Sequence, residues 1–127
     1  MHKYQFSAQF LSDIVAIAHD IAYHQRGVRE LQSVDVLQEK FVKELKELSE
    51  TDHPIEEIVD VVYYALCLAA QGKNLRLSEI ESGLLSKYSY SQEQLERASL
   101  AKYRIRAEGP NSKDFERERA AINAALK

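Results

Sequence analysis

The stretch that decides the fold is Pro54-Ile-Glu-Glu-Ile-Val-Asp-Val-Val-Tyr-Tyr-Ala-Leu-Cys-Leu-Ala-Ala70. It is apolar on nearly every side, and such a segment is buried in a small soluble protein. Yet Asp60 sits in the middle of it. A buried ionised carboxylate is costly unless it is paired or bound to a metal. Glu57 lies one helical turn before Asp60, and a second acidic pair, Glu44 and Glu47, lies just upstream. Four acids converging on an apolar interior suggest a divalent-cation site. A buried salt bridge from Asp60 to Arg or Lys is the competing reading.

The rest of the chain supports a helical setting for these acids. It has 127 residues, about one domain's worth, and is 45% hydrophobic and 29% charged, as expected of a globular protein. With 4 Gly and 2 Pro, turn formers are scarce, which favours a few long helices over many short strands. The net charge of −3 and a pI near 5.8 point to no nucleic-acid polymer as partner. Cys67 is the single cysteine, so no intrachain disulfide forms, and its neighbours Leu66 and Leu68 mark it as inert packing. No signal-peptide pattern opens the sequence, and the apolar run Val61 to Ala70 is too short to span a bilayer. A cytoplasmic protein with no membrane partner is expected.

Apolar periodicity predicts a first helix from about Ser7 to Gln25, stopped by Gly27. A second runs from Val34 or Asp35 to Glu50, with Leu37, Phe41, Leu45 and Leu48 as its packing stripe. Glu39, Lys40, Lys43, Lys46 and Glu50 fall away from that stripe as solvated charges, whereas Glu44 and Glu47 flank it. After the turn Thr51-Asp-His-Pro54, with Asp52 or His53 as cap, the third helix runs to about Gln71. Its residues Ile55, Val59, Val62, Leu66 and Ala69 form one face. Glu57 and Asp60 lie opposite, near Tyr64, Cys67 and Leu68, on a side that lines a pocket or a subunit contact. Ser78 to Tyr88 reads as a short helix. Ser91 to about Ala107 is another, opened by the capping-box pattern Ser91-Gln-Glu-Gln94. Residues 113–127 form a charged, Ala-rich helix. The expectation is a single all-α domain over 1–127, a helical bundle with a central antiparallel pair, and about 108–127 as a peripheral C-terminal helix or oligomer contact.

Residues three apart share a helix face. A short turn makes the second and third helices antiparallel, which brings Glu47 level with Glu57 and Glu44 level with Asp60. Four close carboxylates repel one another unless a cation is present. Hard oxygen ligands at this density suit Mg²⁺ or Mn²⁺ rather than zinc, and the four His are scattered. Mg²⁺ held this way keeps positions open for water and phosphate, so phosphate-ester chemistry follows. Lys87, Lys102, Arg104 and Arg106 are candidate phosphate binders, with Lys102 and Arg106 sharing one face at i,i+4. In a charged helix, solvated roles are the default for such residues. No Walker or Gly-x-Gly-x-x-Gly loop and no nucleophile motif is present.

Glu44-Leu-Lys-Glu47, followed across a short turn by Glu56-Glu-Ile-Val-Asp60-Val-Val-Tyr-Tyr, resembles the Glu-x-x-Glu … Glu-x-x-Asp signature of the MazG-like all-α nucleoside triphosphate pyrophosphohydrolases. The resemblance is best over residues 37–72 and continues loosely through Leu77–Lys87 and Ala101–Arg106. It implies Mg²⁺-dependent cleavage of a nucleoside triphosphate, NTP or dNTP, to the monophosphate and pyrophosphate. It also implies an obligate homodimer or homotetramer. Carried over, Glu44, Glu47, Glu57 and Asp60 are metal ligands, and one glutamate, Glu44 or Glu47 among the catalytic candidates, orients or deprotonates the attacking water. Lys87, Lys102 and Arg106 are the substrate-binding candidates. The related phosphoribosyl-ATP pyrophosphohydrolases share such a helical acidic site, and a non-catalytic nucleotide- or metal-binding oligomer would keep the same acids. The chain departs from the family in its shorter gap between the motifs, in Lys43 where many members carry an acid, and in having no Trp.

Overall fold

Each described helix begins at a residue whose side chain or ring suits a helix start. The computed structural model describes residues 6–72, 88 and 90–127, and among them it contains five helices and no strand. Helix α1 spans Ala8–Arg26, and the Ser7 hydroxyl accepts from the Phe10 N–H. Helix α2 spans Val34–Glu50 with Ser33 as the corresponding cap. Helix α3 spans Pro54–Ala70; Pro54 fills the first turn, and His53 holds the cap position without a side-chain cap bond. Helix α4 spans Gln92–Arg106, where Ser91 and Gln94 complete the reciprocal capping box. Helix α5 spans Phe115–Ala125, capped by the Asp114 carboxylate on the Arg117 N–H. Gly27 takes a positive φ of 77° just past α1 and its N–H bonds back to the Tyr23 carbonyl, a geometry glycine adopts without Cβ strain.

These boundaries follow the sequence reading to within a residue or two. The short helix expected at 78–88 lies, except for its last residue, outside the described residues, as does Lys87.

Helix α3 is the hub and packs against α1, α2 and α4, while α5 packs on α4. Its unbroken apolar run therefore buries in several directions at once. Ile58, Val59, Val61, Val62, Ala65 and Leu68 are all essentially inaccessible. Ala69, expected on the apolar face, is exposed at the end of the helix. The three-residue connection between α2 and α3 makes an antiparallel hairpin, with Leu37 and Leu48 buried and Phe41 and Leu45 packed against the core edge.

The C-terminal helix, expected as a peripheral element or an oligomer contact, is anchored along one edge. Most of α5 is exposed, but Ile122 is 1% exposed and belongs to the core cluster, and Glu118 is 2% exposed. The helix closes one side of the molecule through that inner edge. Ile122→Ala should therefore cost about 2–5 kcal/mol, the usual range for emptying a buried aliphatic site. Val42→Ala, at an exposed position, should shift stability by no more than about 0.5 kcal/mol. Urea unfolding of the two variants checks the contrast, and equal effects would mean that Ile122 does not anchor α5.

Candidate metal centre

Helix periodicity and the α2–α3 hairpin place Glu44 opposite Glu57 and Asp60. Carboxylate oxygens from these three residues lie within 4.8 Å of one another. That is a spacing from which three oxygens can converge on one small hard cation. Glu47 is not part of this trio. Its carboxylate is half-exposed and lies 4.0 Å from the Lys43 ammonium. It lines the same cavity and adjoins Glu44, so three of the four expected acids cluster and the fourth stands beside them.

The acids have little water to rely on. Glu44 Oε2 and Glu57 Oε2 are shielded from solvent, with no hydrogen-bond donor on either. Burial, the Asp60 charge and hydrogen bonding to Glu57 push the Glu44 carboxyl up to about 8. Burial also raises Glu57, against the hydrogen bond that it accepts from Glu44. A proton shared between these two carboxyls relieves the repulsion when no cation is present.

Asp60 is held from the other side. Lys102 Nζ donates to Asp60 Oδ1 at 2.5 Å, and the Tyr103 hydroxyl donates to the same oxygen at 2.5 Å. Lys102 is only 5% exposed. Tyr103 is wholly buried, and burial followed by the Asp60 charge raises its hydroxyl well above the ordinary value. It therefore stays protonated as a donor. The ring of Tyr103 stacks on Tyr63 at 3.9 Å and 11°, which fixes the direction of its hydroxyl. The buried salt bridge to Asp60 that the sequence allowed is thus present, with Lys102 as its cation.

The expected phosphate binders divide accordingly. Lys102 and Arg106 both face the acidic cavity, as their i,i+4 spacing requires. Each is already engaged with an acid. Arg106 Nη2 donates to Glu118 Oε1 at 3.0 Å, and Glu118 also accepts from the Asp114 N–H. Arg104 is exposed and does not line the cavity.

The cavity has a volume of about 440 Å³. Beside its acids, the cavity is lined by Lys40, Lys43, Lys102, Arg106, Lys113 and Arg119. Lys40 was expected in solvent, but it is half-buried, donates to Gln32 Oε1 at 2.7 Å, and lines this cavity and a neighbouring smaller one. The smaller cavity, about 70 Å³, includes Tyr63, Tyr64, Cys67 and Tyr103 in its wall. It explains the apolar second side of α3. Cys67 is buried there, and burial lifts its thiol to about 12, so it is unreactive as expected.

Tyr103, Lys113, Glu118 and Arg119 are the site residues that sequence reasoning missed. Tyr103 adjoins Lys102 in sequence, and a buried acid requires several donors, which was the available signal. Glu118 lies in the charged run Arg117-Glu-Arg119, where nothing distinguishes it from solvated neighbours. Its burial comes from the packing of α5 on α4. Arg119 pairs with Glu56, next to the clustered Glu57.

Comparison of the chain with protein-family models, curated proteins and solved structures finds no match. The chemistry of the site therefore rests on its own residues.

Glu44 sets a pH dependence. A carboxyl whose folded value is raised binds its proton more tightly when folded than when unfolded. The resulting stabilisation is present below the ordinary value of 4.5 and is lost as pH rises toward about 8. In chelator-treated buffer, the melting temperature of wild type should fall across that window, and Glu44→Gln should flatten the fall. An unchanged slope in the variant would remove Glu44 as its origin.

Proposed function

We propose that the protein is a Mg²⁺-dependent nucleoside triphosphate pyrophosphohydrolase of the MazG-like type, with Mn²⁺ as an alternative cation. The observation that carries this reading is one cavity lined by both clustered carboxylates and several ammonium and guanidinium groups. Oxygens of Glu44, Glu57 and Asp60 lie within 4.8 Å of one another. Lys40, Lys43, Lys102, Arg106, Lys113 and Arg119 stand around them. Such a cavity suits a polyphosphate carrying a dication: acids for the cation, ammonium and guanidinium groups for the phosphate oxygens.

The donor set fits the ion. It is all oxygen, it leaves Oε2 of Glu44 and of Glu57 without a hydrogen-bond partner, and it offers too few ligands to saturate Mg²⁺, which ordinarily keeps several waters. When bound, the cation supplies charge neutralisation and Lewis-acid activation. The chain's own residues do the rest. Glu44, Glu57 and Asp60 hold the cation's position, and Tyr103 fixes the orientation of Asp60. In this reading Glu47, outside the trio and half-exposed, takes the role of orienting a water and accepting its proton. Attack at the α-phosphorus forms the new P–O bond and breaks the bond to the β-phosphate bridging oxygen. The products are a nucleoside monophosphate and pyrophosphate. Basic groups lining the cavity offset the charge that gathers on the departing pyrophosphate.

The same reading includes a homodimer or homotetramer. Apolar side chains left in solvent, among them Phe115 at 67% and Val28 at 50% exposure, are compatible with contact to a second copy. No described helix is long and apolar enough to cross a membrane. A phosphoribosyl-ATP substrate would use the same acids and the same bond cleavage.

A second reading has its own observation. The buried Lys102–Asp60 pair is also what a purely structural bundle would contain. The two readings separate experimentally. Purified protein with Mg²⁺ should release pyrophosphate, not orthophosphate, from one or more members of a nucleotide panel that includes phosphoribosyl-ATP. Asp60→Asn should lower that release by about a hundredfold or more, at the upper end of what even outer partners of a metal site cost. Absence of pyrophosphate release from every substrate, together with no heat on Mg²⁺ titration, would leave only the structural pair.

A further inference from the structure

We infer that Lys102 is an exchangeable counter-ion: it holds the cation's place on Asp60 and is expelled into the cavity when a dication binds. This rests on the dication reading above and adds to it the behaviour of one side chain. Three facts point to exchange rather than to a permanent bond. First, the Lys102 ammonium lies in direct contact with an oxygen of Asp60, one of the three clustered acids, at 2.5 Å. A dication on the same acids would stand beside an ammonium with almost no water between them, since the Lys102 side chain is only 6% accessible. Like charges that close in a poorly solvated site repel strongly.

Second, Asp60 does not depend on Lys102 for its position. Tyr103 donates to the same Oδ1, and the Tyr63 stack holds that ring in place. The lysine can leave while the acid stays. Third, there is somewhere for it to go. A flexible four-carbon stem can swing its ammonium from the acids into the cavity of about 440 Å³. There the released charge joins Lys43 and Lys113, which line the same cavity. Cation binding thereby increases the positive charge presented to an incoming phosphate. The two ligands are coupled through one side chain, and by linkage each favours the other.

The test uses the whole protein in amine-free buffer, with Mg²⁺ alone as the probe. Lysines are acetylated with a soluble N-hydroxysuccinimide ester, and rates are followed peptide by peptide by mass spectrometry. Calorimetry on the same sample establishes whether Mg²⁺ binds. Without Mg²⁺, Lys102 should be among the slowest lysines. With saturating Mg²⁺ its rate should rise by roughly tenfold, within the usual range of coupling between linked sites. Exposed Lys46 should not change. Lys102→Met should also bind Mg²⁺ more tightly than wild type, because the competitor is gone. If Mg²⁺ binds and the Lys102 rate stays flat, or if Lys102→Met binds Mg²⁺ more weakly, the exchange is overturned while the metal site stands. If Mg²⁺ does not bind wild type or Lys102→Met, the dication reading fails and the exchange fails with it.

Discussion

One carboxylate inside an apolar helix constrains everything around it. Asp60 occupies the middle of α3, and the helices packed on α3 bury its neighbours on several sides. An acid there must be given partners or neutralised. The fold gives it two donors from α4, Lys102 and Tyr103, on a single oxygen. It then places Glu44 and Glu57 close by, which one ammonium cannot balance. Burial and the Asp60 charge raise the Glu44 carboxyl to about 8, which favours a proton there at neutral pH. The three clustered acids could also hold a metal ion.

The same constraint organises the last helix. Glu118 is buried because Arg106 and the Asp114 N–H satisfy it, and Ile122 is buried because α5 packs down on α4. Charged residues that look solvated in sequence thereby become part of a cavity wall. Buried ion pairs of this sort contribute little net stability beside well-packed apolar residues, but removing one partner is costly.

The helices were legible in the sequence because their signals are local. Serines ahead of apolar runs, Pro54 in a first turn and Gly27 after the last apolar position each act within four residues of themselves. The Glu44–Asp60 pairing was legible for a related reason. Two helices joined by a short turn have only one sensible relative direction, and the three-residue spacing does the rest. The offset of Glu47 from the trio was not legible, since it depends on rotation of α2 about its axis by a fraction of a turn. The partners of Asp60 lie 42 and 43 residues away. No turn or spacing fixes the register of α4 against α3, so the sequence could say that a base was needed but not that Tyr103 would share the task. Glu118 was further from reach, because only the docking of a mostly polar helix distinguishes it from its neighbours.

The stacked rings of Tyr63 and Tyr103 have an optical consequence. The chain contains no Trp, so its near-ultraviolet absorption comes from tyrosines with no indole band above them. Two phenols held 3.9 Å apart and nearly parallel share their electronic transitions, and one of them donates its hydroxyl to Asp60. The acidic centre therefore carries its own chromophore, whose circular dichroism near 280 nm responds to what sits on Asp60 without any label being introduced.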